Sequence, residues 1–67
     1  MRISQFTKPE LDYLRENCNF VNLELDVFDL RSRGYTLQEI ADKLNVSIEW
    51  CRNISRRVNK KIDKVLS

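Results

Sequence analysis

The chain has 67 residues, 42% hydrophobic and 33% charged, with a formal net charge of +2, which suits one domain over residues 1–67 and leaves no room for a second. Below about 70 to 80 residues a single core contributes only a few kcal/mol, so a closed catalytic cleft is hard to house and a binding module is expected. One Gly and one Pro argue against linkers, collagen-like repeats and hairpin-rich β folds, and for an all-α domain.

No apolar run reaches the 18 or so residues of a bilayer crossing. The first six residues, Met1-Arg2-Ile3-Ser4-Gln5-Phe6, lack the apolar core of a signal peptide. A soluble, cytoplasmic protein is expected. Cys18 and Cys51 lie 33 positions apart and there is no histidine, so neither a zinc-ligand pattern nor a disulfide framework can be drawn. Cys51, at a helical core spacing, reads as a small buried hydrophobe. Without histidine the usual general base is missing, and no nucleophile sits in a recognisable motif, so no enzyme, metal or cofactor is expected.

In chain order, the first helix starts at Thr7-Lys8-Pro9-Glu10. Thr7 caps, Pro9 fits the first turn because its missing N–H had no partner there, and Glu10 closes a capping box. It runs to about Asn17, with Leu11, Leu14 and Cys18 as its apolar stripe. Asn22 is the expected cap of a second helix from about Leu23 to Arg33, with Leu23, Val27 and Leu30 on one face and Leu25 and Phe28 widening it. Gly34 stops it where a left-handed residue is wanted. A second capping box, Thr36-Leu37-Gln38-Glu39, opens a short helix carrying Leu37, Ile40, Ala41 and Leu44. Asn45 supplies a left-handed turn, and Ser47 caps a last helix from Ile48 to Leu66.

Charge is divided unevenly along the chain. Residues 47–67 hold six basic and two acidic side chains, a balance of +4, against six basic and eight acidic in residues 1–46, a balance of −2. A basic last element on an acidic body is the asymmetry of a helix that meets a polyanion, although a solvated charged face gives the same count.

Three residues, Asn45-Val46-Ser47, join the last two helices. That is too short for side-by-side packing and suits a steep crossing, as in a helix-turn-helix spanning residues 36–56. Ala41 is small where the helices approach, Ile40 and Leu44 face inward, Val46 plugs the turn, and Cys51 and Ile54 return the second helix onto the first. Glu24-x-x-Val27-x-x-Leu30, Gly34-Tyr35-Thr36-x-x-Glu39-Ile40-Ala41-x-x-Leu44-x-Val46-Ser47, Trp50-Cys51 and Ile54 together resemble the helix-turn-helix of sigma-70 region 4 and of LuxR-type DNA-binding domains. The resemblance covers roughly residues 22–62. Trp50-Cys51 stands where the family usually has Thr-Val. The uninterrupted last helix and the two helices before the motif look more like sigma region 4. Nothing corresponds to the core-polymerase and −10 promoter-binding regions, so a complete sigma factor is not implied.

At 100° per residue, Cys51, Ile54, Val58, Ile62 and Val65 fall in one stripe of the last helix, and Glu49, Asn53, Arg56 and Lys60 lie opposite, with Trp50 and Arg52 on the flanks. The first turns of a recognition helix reach base edges, which makes Glu49, Asn53, Arg56 and Arg52 the candidate readers of double-stranded DNA. Arg57, Lys60 and Lys64 suit phosphates. Ser47, first a cap, and Gln38, at the start of the third helix, are candidate backbone contacts. Each has a second role to weigh: Trp50 packing over the turn or touching a thymine methyl, Glu49 complementing the helix dipole, and Arg52, Arg56, Lys61 and Lys64 as solvated charges.

The resulting expectation is a small sequence-specific transcriptional regulator whose economy suits a phage or mobile element. A homodimer on two half-sites is attractive, with Ile3, Phe6, Phe20, Val21, Val65 or Leu66 at its interface. The competing expectation is a protein-interaction module that engages RNA polymerase or another regulator, motivated by the acidic Glu10, Asp12, Glu16, Glu24, Asp26 and Asp29.

Overall fold

The computed structural model describes residues 3–66. Met1, Arg2 and Ser67, which belong to the N-terminal hexapeptide and the 1–67 domain read from the sequence, lie outside the described residues. A 3-10 turn over Ile3–Gln5 precedes four helices, α1 (Lys8–Asn17), α2 (Leu23–Ser32), α3 (Leu37–Leu44) and α4 (Ile48–Leu66). No strand occurs among the described residues. None of these helices is long and apolar enough to cross a membrane.

The locally encoded helix ends form as the sequence predicts. Thr7 and Thr36 each sit in extended backbone and close a full capping box, with Glu10 and Glu39. The Glu39 carboxyl is held below its ordinary range by the Thr36 backbone N–H and then by the Thr36 hydroxyl. At the other end of α2, Gly34 has φ +93°, where a side chain would be strained. Around it the Tyr35 N–H donates to the Leu30 carbonyl and the Gly34 N–H to that of Arg31. Asn45 repeats this at the end of α3, with φ 57° and ψ 48°, the Val46 N–H donating to Ala41 and the Asn45 N–H to Asp42. These are paired bonds of the Schellman type.

The start of α2 departs from expectation, and its buried face does so in part, since Val27 and Phe28 lie inward as read but Glu24 joins them. Asn22 has φ 52° and ψ −131° and its side chain caps nothing. The Glu24 carboxylate takes the Val21 N–H instead, at 3.1 Å. Glu24, Val27 and Phe28, spaced i, i+3 and i+4, are the buried residues of the helix. Leu25 is exposed, and Leu23 and Leu30 are only half-buried. The helix is therefore rotated so that an acidic residue lies on its inner face. It also stops one residue short of Arg33, which serves as C-cap.

One core joins all the elements: Ile3, Leu14, Cys18, Val27, Phe28, Ile40, Ala41, Cys51, Ile54, Val58 and Ile62. Helices α2 and α4 form its centre and run antiparallel, because Glu24 meets Lys61 while the charge of Arg31, one helix length away, is felt at Cys51. Phe28 is completely enclosed, with the Phe20 ring 4.8 Å away, centroid to centroid, and the Arg15 guanidinium 5.6 Å over its face. Ile3 is 3% exposed, so it is a core residue and not available to a dimer interface. Phe6, Phe20 and Val65 likewise pack against the core, leaving Val21 and Leu66 exposed.

Cys51 is fully enclosed, as its spacing implies. Burial pushes its thiol pKa up, partly offset by the charge of Arg31, so it stays a protonated apolar filler. Replacing it with Ser should lower stability by about 1 to 3 kcal/mol, since the hydroxyl loses water without gaining an assigned partner. Thermal melting checks this, and an unchanged midpoint would contradict the core assignment.

Candidate nucleic-acid interface

Because the apolar stripe of α4 is spent on the core, its other side is set by 100° steps to face outward. Cys51, Ile54, Val58 and Ile62 are buried, and so is Ser55, which the apolar pattern does not mark. Glu49, Arg52, Asn53, Arg56, Arg57 and Lys60 are all exposed. Four of them, Glu49, Arg52, Asn53 and Arg56, line one shallow polar concavity at the start of α4. Within it an Arg56 guanidinium N–H donates to Asn53 Oδ1 at 3.4 Å, a long contact between i and i+3 neighbours.

The other sequence-predicted residues do not line this concavity. Trp50 is 38% exposed, with the greater part of its surface covered within the fold. Its backbone N–H donates to Ser47 Oγ at 3.1 Å, which makes Ser47 the cap of α4 as expected. Gln38 stands on α3, exposed, with its amide donating to Asp42 Oδ1 at 3.3 Å, and does not line the concavity. Arg57 lies on the Trp50 flank, where its charge is felt by Glu24. Lys60 continues the outward face one turn on.

Lys61 is not a solvated charge. Its ammonium donates to Glu24 Oε1 at 2.5 Å and to the Asn19 carbonyl at 3.0 Å, tying the end of α4 to the α1–α2 connection. Burial alone would push the Glu24 carboxyl up. The Lys61 hydrogen bond, the Val21 N–H and the charges of Lys61 and Arg57 together outweigh it and hold the carboxyl below its ordinary range. The sequence does carry one trace of this pair: Glu24 falls on the Val27–Phe28 face, and an acidic residue on an apolar stripe implies a buried partner. Nothing local identifies that partner as Lys61, 37 residues later.

The acidic surface that motivated a protein partner is largely engaged within the chain. Glu10 closes the Thr7 box, Asp12 and Asp29 both pair with Arg15, and Glu24 is buried. Comparison with protein-family models, with curated proteins and with solved structures gives no match to this chain.

Proposed function

We propose that this chain binds duplex DNA sequence-specifically, as a small transcriptional regulator, with the first turns of α4 in the major groove. The observation that carries the reading is the exposed concavity of Glu49, Arg52, Asn53 and Arg56 at the capped start of a helix whose opposite side is locked in the core. Arg forks match guanine O6 and N7, Asn matches adenine N6 and N7, and Glu accepts from cytosine N4. Arg57 and Lys60 extend positive charge beyond the concavity, where phosphates run. Ser47 and Gln38, near the starts of α4 and α3, are assigned to backbone contacts on this reading. A copy on each of two half-sites about one helical turn apart would raise the modest specificity of one reading head.

Replacing Asn53 or Arg56 with Ala should cost about 1 to 3 kcal/mol on the preferred duplex and relax the preference at one or two base pairs. Replacing Arg57 or Lys60 should instead weaken all duplexes about equally and reduce the salt slope by about one unit, because each lost phosphate contact releases one fewer counterion. Selection from a random duplex pool, followed by competition binding of the four variants on selected and scrambled sites, checks this once circular dichroism has shown each to be folded. An inverted repeat among the selected sequences would establish the two-copy arrangement. Absence of affinity for any duplex at low salt would overturn the reading in favour of a protein-docking module.

A further inference from the structure

We infer that Trp50 is a specificity-determining residue of this chain, making an apolar contact to a thymine C5-methyl beside the bases read by Asn53 and Arg56. The inference rests on the DNA-binding reading above and deepens it. Trp50 is the one tryptophan of the chain, and it is 38% exposed at the first turn of α4. It is among the exposed large hydrophobic residues. Burial in the fold covers part of the indole and leaves more than a third of it open. Its backbone is fixed by the Ser47 cap, so the indole leaves the helix from a rigid first turn.

Position supplies the partner. Trp50 and Asn53 are i and i+3 neighbours on the helix surface, and Asn53 lines the polar concavity with Arg56. Arg57, two turns on from Trp50, shares its flank and is exposed. The indole thus lies on the flank between the core stripe and the exposed hydrogen-bonding face, with Arg57 beside it. In the major groove the apolar feature of the base edges is the thymine methyl, which lies at the outer edge of its pair. An aromatic ring there adds discrimination that Arg and Asn cannot, since neither distinguishes thymine from uracil. The indole N–H remains free to face solvent or phosphate while the ring body covers the methyl.

Uracil in place of thymine removes the methyl and keeps every hydrogen-bonding group, so it isolates this contact. On the duplex selected from a random pool, replacing thymines by uracil one at a time should reduce affinity about fourfold at one position, the loss expected for one buried methyl. Elsewhere it should have little effect. The variant Trp50→Ala should bind the thymine and uracil duplexes equally while keeping the wild-type salt slope, and Trp50→Phe should keep part of the difference. Because Trp50 is the only indole, its fluorescence should change on adding the duplex, and the change should differ between the two duplexes. Circular dichroism guards against unfolding, and if Trp50→Ala fails to fold, Trp50→Phe and the wild-type fluorescence carry the test. Tight, salt-dependent binding with no uracil effect at any position would overturn this inference and leave the DNA-binding reading standing. A uracil effect undiminished in Trp50→Ala would do the same. No binding to any duplex at low salt would overturn both.

Discussion

Phe28→Ala should leave the chain largely unfolded at room temperature. Phe28 is the largest completely enclosed side chain among the described residues, and it packs against Phe20 of the α1–α2 connection and beneath Arg15 of α1. Emptying such a site costs about 3 to 5 kcal/mol. A domain of this length has a total stability of roughly 3 to 10 kcal/mol at about 0.05 to 0.15 kcal/mol per residue. The loss is therefore comparable to everything available. Each kcal/mol shifts the midpoint by about 4 to 8 °C in a domain of this size, so a melting midpoint lowered by tens of degrees is expected. Phe28→Leu, which keeps most of the volume, should cost less than about 1.5 kcal/mol. Thermal and urea melts of the two variants check this, and a drop of only a few degrees for Phe28→Ala would mean the core is not closed around that ring.

The second large effect concerns the pair that anchors the far end of α4. Lys61→Met retains the aliphatic stem but strands Glu24, whose side chain is 5% exposed. Removing one partner of a fully buried pair costs about 3 to 5 kcal/mol. Here the Lys61 side chain is 32% exposed and the carboxylate keeps the Val21 N–H, so about 2 kcal/mol at pH 7 is expected after allowing for water. Replacing both residues by apolar ones, Glu24→Leu with Lys61→Met, should recover much of that loss, because no charge is left buried. The sign of the pH dependence follows from the depressed Glu24 pKa. The contribution is fully present above the unfolded value of about 4.3 and is lost as pH falls through the folded value. The deficit of Lys61→Met should accordingly be largest at neutral pH, shrink as pH falls, and vanish only below the depressed wild-type value, where the carboxyl is protonated in both proteins. A deficit that does not change with pH would show that the stem, and not the charge, carries the effect.

What could be read from the sequence divides along the range of the interaction. Thr7, Gly34, Thr36, Asn45 and Ser47 act on atoms within about five residues, and each does what its residue type implies. The α4 stripe was also legible, because 19 residues without Gly or Pro give the 3.6-residue period several turns to declare itself. In α2 the period covers only ten residues, and leucines at 23 and 25 suggest a broader inner face than the fold uses, which buries Val27 and Phe28 with Leu30 packed at its edge. Glu24 takes the place of Leu25 because a partner from α4 arrives there. Asn22 reads as a cap on residue type alone, yet it has a positive φ with ψ −131°, and Asn19 likewise has a positive φ, in the connection that carries Phe20 onto Phe28. The 3-10 turn and the burial of Ile3 are likewise tertiary in origin. On the polar side, spacing alone brought Glu49, Asn53 and Arg56 together, whereas the exposure of Trp50 and the engagement of Lys61 depend on which neighbours surround α4.

The connection between α3 and α4 also governs how much the protein must reorganise when something docks on it. A glycine at the left-handed position would populate many backbone states in the free chain. Asn45 populates fewer, and its turn is closed by two backbone bonds, to Ala41 and Asp42, with Ser47 Oγ accepting from the Trp50 N–H of α4. The angle between the two helices is therefore settled in the free protein. A ligand arriving at α4 meets a rigid platform, and the entropy lost on association falls on the side chains of the concavity and not on the main chain. On the proposed DNA-binding reading, such a surface would engage the duplex as a rigid body, and discrimination would come from shape and chemical fit at first contact and not from folding around the partner.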